Sequence, residues 1–390
     1  MFFILVLILI AAIGFVNRYL LKKTNGQIWQ LPLLDKTAKV LPYSIVPFLI
    51  LWGLGSLSNL QWLKISGATL TGIILIINLM LLLTLPFSFG THLLSRIFKP
   101  EPQKSPLKLK KSRRMFLKSA AAAAPVFAIG SAGEGFASSF SETRFPQIEM
   151  PFKNLPDDLD GIRILHLSDL HLGYYFGLDH LENTLQNAEK YDPDLIAVTG
   201  DIADDLGLMT DAMKLIDQLK TPYNKYVIVG NHEHFRGINE AIRRINAGPV
   251  PLLFNQNDTF TIGGTKLTIA GVDDPVRMRA DITGFLDNAV DIAFNGAAQA
   301  DFRLLLSHRP RALDVAEKYN IDLTLSGHTH GGQVGFAGRS LWEIINENGY
   351  LWGSYQKGNS QLYTSAGMGH WFPFRLNCPL EAPVITLKKA

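Results

Sequence analysis

One cysteine, Cys378, stands among 390 residues. No internal disulfide can form, no cluster of thiolates can hold a metal, and Cys378 itself reads as a small buried or half-buried residue. Charge is scarce too. Asp, Glu, Lys and Arg supply 18% of the chain against 47% apolar residues, which excludes a disordered chain and a coiled coil. No segment repeats another, which removes propellers and solenoids, and there is no collagen-like period. The length fits two units or one large one.

The charges that are present are split. Residues 1–150 hold 16 Lys and Arg against 5 Asp and Glu, whereas residues 151–390 hold 21 against 29. The two parts answer to different surroundings. The basic residues flank apolar runs instead of covering the folded part, which argues against nucleic acid as a partner. Three such runs, 1–21, 41–60 and 68–89, each approach the roughly 20 residues that cross the hydrocarbon of a bilayer. Pro47 and Pro86 are tolerable there when neighbouring helices satisfy the backbone. Residues 1–90 are therefore expected to form three transmembrane helices. Lys22, Lys23, Lys36 and Lys39 follow the first, Lys64 alone follows the second, and nine Lys and Arg lie between 96 and 118. Positive charge collects on the cytoplasmic side, which puts the first and third of these stretches inside and the N-terminus outside. The spans hold no charge of the kind that lines an ion pathway, which argues against transport.

Residues 91–118 read as a basic cytoplasmic linker. It ends in Ser112-Arg113-Arg114-Met115-Phe116-Leu117-Lys118, followed by the alanine-rich apolar segment 119–137. This stretch resembles a twin-arginine export signal. The same residues also suit a polybasic contact with anionic lipid and a linker helix behind it. Gly135-Phe136-Ala137 is a loose cleavage candidate, and 119–137 is otherwise a candidate fourth span. Export would place the remainder on the extracytoplasmic face of a bacterial cytoplasmic (inner) membrane, in a multi-pass protein.

Residues 138–160 are polar and marked by proline, and read as a linker. Beyond them short apolar runs at 162–167, 195–199, 226–229, 302–307 and 321–326 read as buried strands. Helical patterns at 178–190, 205–219, 239–246 and 310–319 lie between them. A hairpin turns at Gly263-Gly264, and late strands are expected at 360–365 and 383–388. The alternation predicts an α/β sandwich of two mixed sheets with helices outside.

Polar clusters follow the strands: Ser168-Asp169-Leu170-His171, Gly200-Asp201-Ile202-Ala203-Asp204, Gly230-Asn231-His232-Glu233, Ser307-His308, and Gly327-His328-Thr329-His330-Gly331-Gly332. The C-terminal ends of strands are where ligand sites are built, so all five clusters can meet. Asp-x-His and His-x-His set two ligands on one side of an extended segment. Without thiolates, Asp, His and Asn donors suit Mn, Fe or catalytic Zn, and about seven donors are too many for one ion. Two divalent ions about 3.5–4 Å apart would attract a phosphate and acidify water, the chemistry of phosphoester hydrolysis.

The order D-x-H, G-D, G-N-H-E, H, G-H-x-H resembles the calcineurin-like metallophosphoesterase superfamily over about residues 162–387. The helices before it, the Gly-His-Thr-His-Gly-Gly-Gln333 run and the stretch from Ser365 to Arg375 are similar to a bacterial membrane-associated branch, some members of which resemble lipid-nucleotide pyrophosphatases. The resemblance implies a four-layer αββα domain over 161–390. It also implies a first metal on Asp169, His171 and His330, a bridging Asp201, and a second metal on Asn231, His308 and His328. His232 matches the motif histidine that binds substrate and stabilises or protonates the leaving oxygen.

Other polar residues are read individually. His166 lies inside a strand and reads as a core histidine. Asp204 suits either a carboxylate that orients a ligand histidine or a solvated helix cap. His234 and Arg236 lie close enough to the third motif to touch a phosphate, or form an exposed loop pair. Arg375 suits a phosphate clamp or a structural ion pair. His180 and His370 carry no signal beyond position. The function expected is a membrane-anchored, dinuclear-metal phosphoesterase that uses activated water on phosphoester or pyrophosphate bonds of lipid-linked or envelope substrates. A cytoplasmic domain would instead suit a UDP-2,3-diacylglucosamine-type pyrophosphatase. A sensor or scaffold that binds phosphate without turnover is the competing class.

Overall fold

In the computed structural model of the chain, residues 2–24, 32–58, 60–97, 108–276, 281–346 and 349–390 are described. The chain divides into two units, Met1–Ser138 with Phe372–Phe374, and Ser139–Trp371 with Arg375–Ala390.

The first unit is helical: α1 (Phe2–Thr24), α2 (Pro32–Ser58), α3 (Gln61–Leu83), α4 (Leu85–Ile97) and α5 (Lys108–Ser138). Its boundaries differ from those the apolar runs suggest. α3 begins at Gln61, so Lys64 falls in its first turn. The run 68–89 is interrupted at Thr84, whose N–H and hydroxyl both turn back to the Leu81 carbonyl. Pro86 follows in the first turn of α4, where its missing N–H costs little. Among the described residues Gln61–Leu94 is one run long and apolar enough to cross a membrane, and Tyr43–Ser58 is a shorter apolar helix. Inside the unit, Asn17 Nδ2 donates to the Asn78 carbonyl at 2.6 Å and Asn78 Nδ2 to Ile74 at 2.9 Å. Leu9, Val46, Ile50, Leu57 and Leu83 face outward. Ile10, Ile45, Leu49 and Ile74 are buried beside this asparagine pair, and large aliphatic side chains on the outside as well depart from the pattern of a water-facing bundle. The stretch 98–107 of the expected linker lies outside the described residues. The twin-arginine stretch and the alanine-rich segment share the single helix α5.

The second unit runs β1 (Gln147–Phe152), β2 (Arg163–Leu167), α6 (Leu178–Ala188), β3 (Leu195–Thr199), α7 (Met209–Gln218), β4 (Lys225–Ile228), α8 (Asn231–Asn246), β5 (Gln256–Ile262), β6 (Thr265–Gly271), α9 (Ile282–Phe294), β7 (Phe302–Leu306), α10 (Leu313–Ala316), β8 (Leu323–Ser326), β9 (Gly335–Phe336), β10 (Arg339–Ser340), β11 (Gly353–Lys357), β12 (Ser360–Thr364) and β13 (Val384–Lys389). One sheet has the order β1-β13-β2-β3-β4 and the other β11-β12-β8-β7-β6-β5. Both are mixed: β2, β3 and β4 are parallel, as are β6, β7, β8 and β12, and antiparallel neighbours complete each sheet.

Alternation along each strand fills three cores. On β3, Leu195 and Ala197 point between the sheets and Ile196 and Val198 toward the helices. On β7, Leu304 and Leu306 point between the sheets, while Leu305 meets Leu286, Val290 and Leu313 from α9 and α10. Leu181, Met213 and Ile245 from α6, α7 and α8 cover the other outer face. Strands buried on both faces read as continuous apolar runs, which is why they were visible in the sequence. The result is the four-layer αββα sandwich.

Several elements depart from expectation: α9, β9, β10 and β11 form where no helix or strand was expected. The linker expected over 138–160 contains β1, which pairs with β13 at the sheet edge, where Pro151 is tolerated. α8 starts at Asn231, not at residue 239. Gly237 breaks it at φ 121°, but the Glu233 side chain accepts the Gly230 N–H and caps an additional first turn.

Leu304 is buried between the sheets, so Leu304→Ala is expected to cost about 2–5 kcal/mol in chemical denaturation. A loss below about 0.5 kcal/mol would contradict the packing described.

Candidate metal centre

The loops that follow β2, β3, β4, β7 and β8 carry the five polar clusters, and they meet. The two sheets share the work: Asp169, His171, Asp201 and Asn231 come from one, His308, His328 and His330 from the other.

The backbone of the meeting point is strained. Asp169, His171, Asp201, His328 and His330 all have left-handed φ, between 48° and 71°. Such a conformation costs a non-glycine residue of order 1–3 kcal/mol and persists only where its surroundings impose it. Here the loop after β2 is laced to the loop after β3: Asp169 N–H donates to Gly200 O at 3.1 Å, His171 N–H to Asp201 O at 3.0 Å and Leu172 N–H to Ile202 O at 3.0 Å. The fully buried Glu233 carboxylate accepts from the N–H groups of Gly230 (2.7 Å), Asp201 (3.0 Å) and Ile202 (2.8 Å). It ties the loop after β3 to that after β4. Gly200 must be glycine, since its φ is 84° and a Cβ would stand 2.6 Å from the Gly230 nitrogen.

Two groups of donors result. In the first, His330 Nε2 lies 3.4 Å from Asp169 Oδ1 and 3.2 Å from His171 Nε2. In the second, His308 Nε2 lies 3.3 Å from Asp201 Oδ2 and 3.2 Å from Asn231 Oδ1, with His328 beside them. Asp201 Oδ2 is also 3.7 Å from His171 Nε2, so this carboxylate stands between the groups. The side chains of Asp169 and His171 are wholly buried. Ligand atoms of Asp169, His171 and His330, and of Asp201, His308 and His328, lie within 4.8 Å of one another. Converging carboxylates, imidazoles and an amide oxygen, with no thiolate, form donor sets suited to Mn, Fe or Zn.

The imidazoles are oriented from behind. His308 Nδ1 donates to the Thr199 carbonyl at 2.7 Å, leaving Nε2 for the centre. Asp204 Oδ2 holds His171 Nδ1 at 3.2 Å, and Asp204 Oδ1 holds His232 Nδ1 at 2.7 Å and Arg236 Nη2 at 2.7 Å. Asp204 is thus the orienting carboxylate and not a solvated cap. Although Asp204, His171 and His232 are close enough to grip an ion, both carboxylate oxygens are engaged with cations or ring nitrogens, so this group positions the others. Asp169 is fixed by a chain of hydroxyls: His166 Nε2 meets Thr199 Oγ1 at 2.8 Å, Thr199 donates to Ser168 Oγ at 2.8 Å, and Ser168 donates to Asp169 Oδ2 at 2.6 Å. His166 is the buried core histidine expected, and desolvation pulls its pKa down to about 3.

Charge is balanced internally. Burial opposes charge on His308, but the Asp201 carboxylate overrides it and lifts the pKa to about 10. Burial likewise opposes charge on His171, and Asp204 and Asp201 raise it. Burial pushes Asp201 up, yet His308, His171 and His232 hold it well below the usual carboxylate range. His328 and His330 are driven well down by burial and by the neighbouring cations. The half around Asp201 therefore carries a protonated imidazole at His308, and His171 is biased the same way by its carboxylates, places that a metal cation would take.

Three expected phosphate contacts have other partners. His234 Nε2 is 2.7 Å from Asp273 Oδ1. Arg236 binds Asp204 with its guanidinium over the Tyr174 ring. Arg375 is fully buried, donating to the Gly369 carbonyl at 2.7 Å and lying 3.2 Å from His330 Nδ1; a side chain without exposure cannot clamp a substrate phosphate, so it braces a ligand histidine. His180 stacks on Phe176, and His370 packs against Phe140 and Phe176. Arg309 was not singled out in the sequence. It grips Asp274 through Nε (2.7 Å) and Nη2 (3.1 Å) and reaches His328 Nε2 at 2.6 Å. Its position directly after His308 was the available signal.

Comparison with known proteins agrees with this geometry. The family model described as calcineurin-like phosphoesterase matches residues 162–332. The chain is 33% identical over 292 residues to the uncharacterized metallophosphoesterase YkuE of Bacillus subtilis (strain 168), covering 72% of this chain and 98% of that protein. It is 31% identical over 257 residues to an uncharacterized metallophosphoesterase of Aquifex aeolicus (strain VF5), covering 65% and 95% respectively. It is also 27% identical over 267 residues to a Danio rerio protein described as a transmembrane protein with metallophosphoesterase domain, covering 66% of this chain and 60% of that one.

Because His308 is lifted to about 10, it is protonated at a pH near 6.5. Loading with Mn at that pH is expected to release about one proton per chain or more, read from the buffer dependence of the binding heat. Binding without proton release would contradict the charge balance described.

Proposed function

The chain belongs to the calcineurin-like phosphoesterase family, and from that premise we propose that it is a membrane-anchored phosphoesterase that hydrolyses phosphoester or phosphoanhydride bonds of lipid-linked or envelope substrates. The observation that carries the reading is the convergence of both donor groups on the Asp201 carboxylate, with His232 held beside them. Asp169, His171 and His330 would hold one divalent ion, Asn231, His308 and His328 a second, and Asp201 both. When bound, the ions supply the positive charge that draws in a phosphate and makes water nucleophilic near neutral pH.

The protein's own groups do the rest. Asp204 fixes His232 through Nδ1, which leaves Nε2, 4.0 Å from Asp201 Oδ2, beside the place a phosphate drawn to the ions would take. From there it can donate a proton to the leaving oxygen. The Glu233 clamp and the hydroxyl chain behind Asp169 hold the ligands before any ion arrives, so little reorganisation accompanies binding.

The anchoring reading is supported by the span-length apolar run Gln61–Leu94 and by the aliphatic side chains that face outward from the helical unit. The transmembrane description of a relative points the same way. We place three spans in the cytoplasmic membrane of a bacterium, with the basic connections inside, the twin-arginine stretch acting in export and the catalytic domain on the extracytoplasmic face.

Purified full-length protein is expected to hydrolyse an aryl phosphodiester or monoester when Mn is supplied. Asp201→Asn should lose about 100-fold or more of kcat and one or both ions. His232→Ala should lose about 100-fold of kcat while keeping its metal. Wild-type turnover in His232→Ala would remove its assigned role, and wild-type metal content in Asp201→Asn would remove the shared ligand.

A further inference from the structure

The segment directly after the metal-binding run exposes a cluster of large apolar side chains. β9 and β10 form a short hairpin, with Arg339 opposite Phe336 and Ser340 opposite Gly335, and the helical turn Leu341–Ile344 follows. The segment is held firmly. Trp342 Nε1 donates to the Gly332 carbonyl at 2.9 Å, Leu341 N–H to Val334 O at 2.9 Å and Gly335 N–H to Leu376 O at 2.9 Å.

Its two charged residues are both tied to Tyr355, Glu343 largely covered and Arg339 half exposed. Glu343 accepts a hydrogen bond from the Tyr355 hydroxyl. The Arg339 guanidinium lies 4.9 Å from the centre of the same ring and donates to the Ser354 carbonyl at 3.2 Å. The large apolar residues turn away. Phe336 is 71% exposed, Trp342 44%, Ile344 78% and Ile345 79%, with Leu341 also exposed. Single exposed apolar residues are ordinary, but five within ten residues, on a segment whose two charges are tied to one tyrosine, form a contact surface.

Its position and composition select the occupant. Gly332, which receives the Trp342 indole N–H, lies two residues after His330, so whatever holds this surface is beside the metal centre. A tryptophan with its N–H on a polar group and its ring half out, next to aliphatic side chains, suits the boundary between lipid headgroups and hydrocarbon. The same chain carries an apolar run of membrane-crossing length. We propose that residues 336–345 are a lipid-docking loop whose apolar side chains enter the hydrocarbon of the bilayer and thereby seat the phosphate of a lipid substrate at the metal centre. This deepens, and rests on, the reading of the chain as a membrane-anchored phosphoesterase.

The sole cysteine, Cys378, is buried, so Ile344→Cys can be labelled selectively in the full-length protein with a polarity-sensitive fluorophore. In nanodiscs of dioleoyl phosphatidylcholine the label is expected to shift to the blue. Chain-brominated lipid should quench it about twofold or more. A label that stays in water and ignores brominated lipid overturns the proposal. So does cross-linking of Ile344→Cys between two copies without lipid quenching, which would make the surface an interface of the protein with itself. Separately, Ile344→Ser with Ile345→Ser should lower kcat/KM for hexadecyl para-nitrophenyl phosphate in vesicles about tenfold or more, while ethyl para-nitrophenyl phosphate in solution stays within about twofold. Equal losses on both would show that the loop serves the fold alone and would overturn the docking role. Failure of the parent reading looks different. A chain that does not enter nanodiscs refutes anchoring, and a wild-type protein inactive on both esters refutes catalysis while the label still reports whether the loop meets lipid.

Discussion

A single buried carboxylate organises the catalytic domain. Asp201 lies between imidazoles supplied by two different sheets, with His171 on its own side and His308 across the sandwich. Its charge is excluded from water, and a buried charge is tolerated only when paired. The pairing is reciprocal: His308 is held positive by Asp201, and Asp201 is held ionised by His308. The clamp from Glu233 to the Asp201 and Ile202 N–H groups fixes the loop that carries it. The left-handed backbone at five ligand positions follows from this arrangement, because the loops must turn sharply enough to aim short side chains at one point. Strain of this kind is the cost of a preorganised site.

The sequence showed the site more completely than its supports. β2, β3, β7 and β8 were legible because strands buried on both faces read as largely apolar runs that stop abruptly at Asp, Gly, Ser or His. Those stops are the ligand clusters themselves. Residues acting through long-range contacts were not legible. Arg375 has the chemistry of a phosphate clamp, and only its complete burial beside His330 shows otherwise. Thr199 and Ser168 are ordinary hydroxyls in strands until they are seen to link His166 to Asp169. β1 was hidden because prolines that mark a linker are also permitted on an edge strand. The early start of α8 could have been found, since Glu233 stands three residues after Gly230, the spacing of a side chain that caps its own helix.

Large apolar side chains are exposed at two places in this chain. In the helical unit an asparagine pair is buried beside an apolar core, and Leu9, Val46, Ile50, Leu57 and Leu83 face outward. In the loop after the metal-binding run, Arg339 and Glu343 meet Tyr355 while the isoleucines face outward. Elsewhere the catalytic domain follows the ordinary rule, with apolar cores between and outside its sheets.

The central claim is that Asp201 joins two metal ions in one centre. Low-temperature electron paramagnetic resonance of the Mn-loaded full-length protein tests it directly, because ions about 3.5–4 Å apart through a shared carboxylate are magnetically coupled. The account predicts an exchange-coupled multiline spectrum at about two Mn per chain, replaced by the simple spectrum of isolated Mn in Asp201→Ala. Isolated Mn in the wild-type protein at full loading would contradict it.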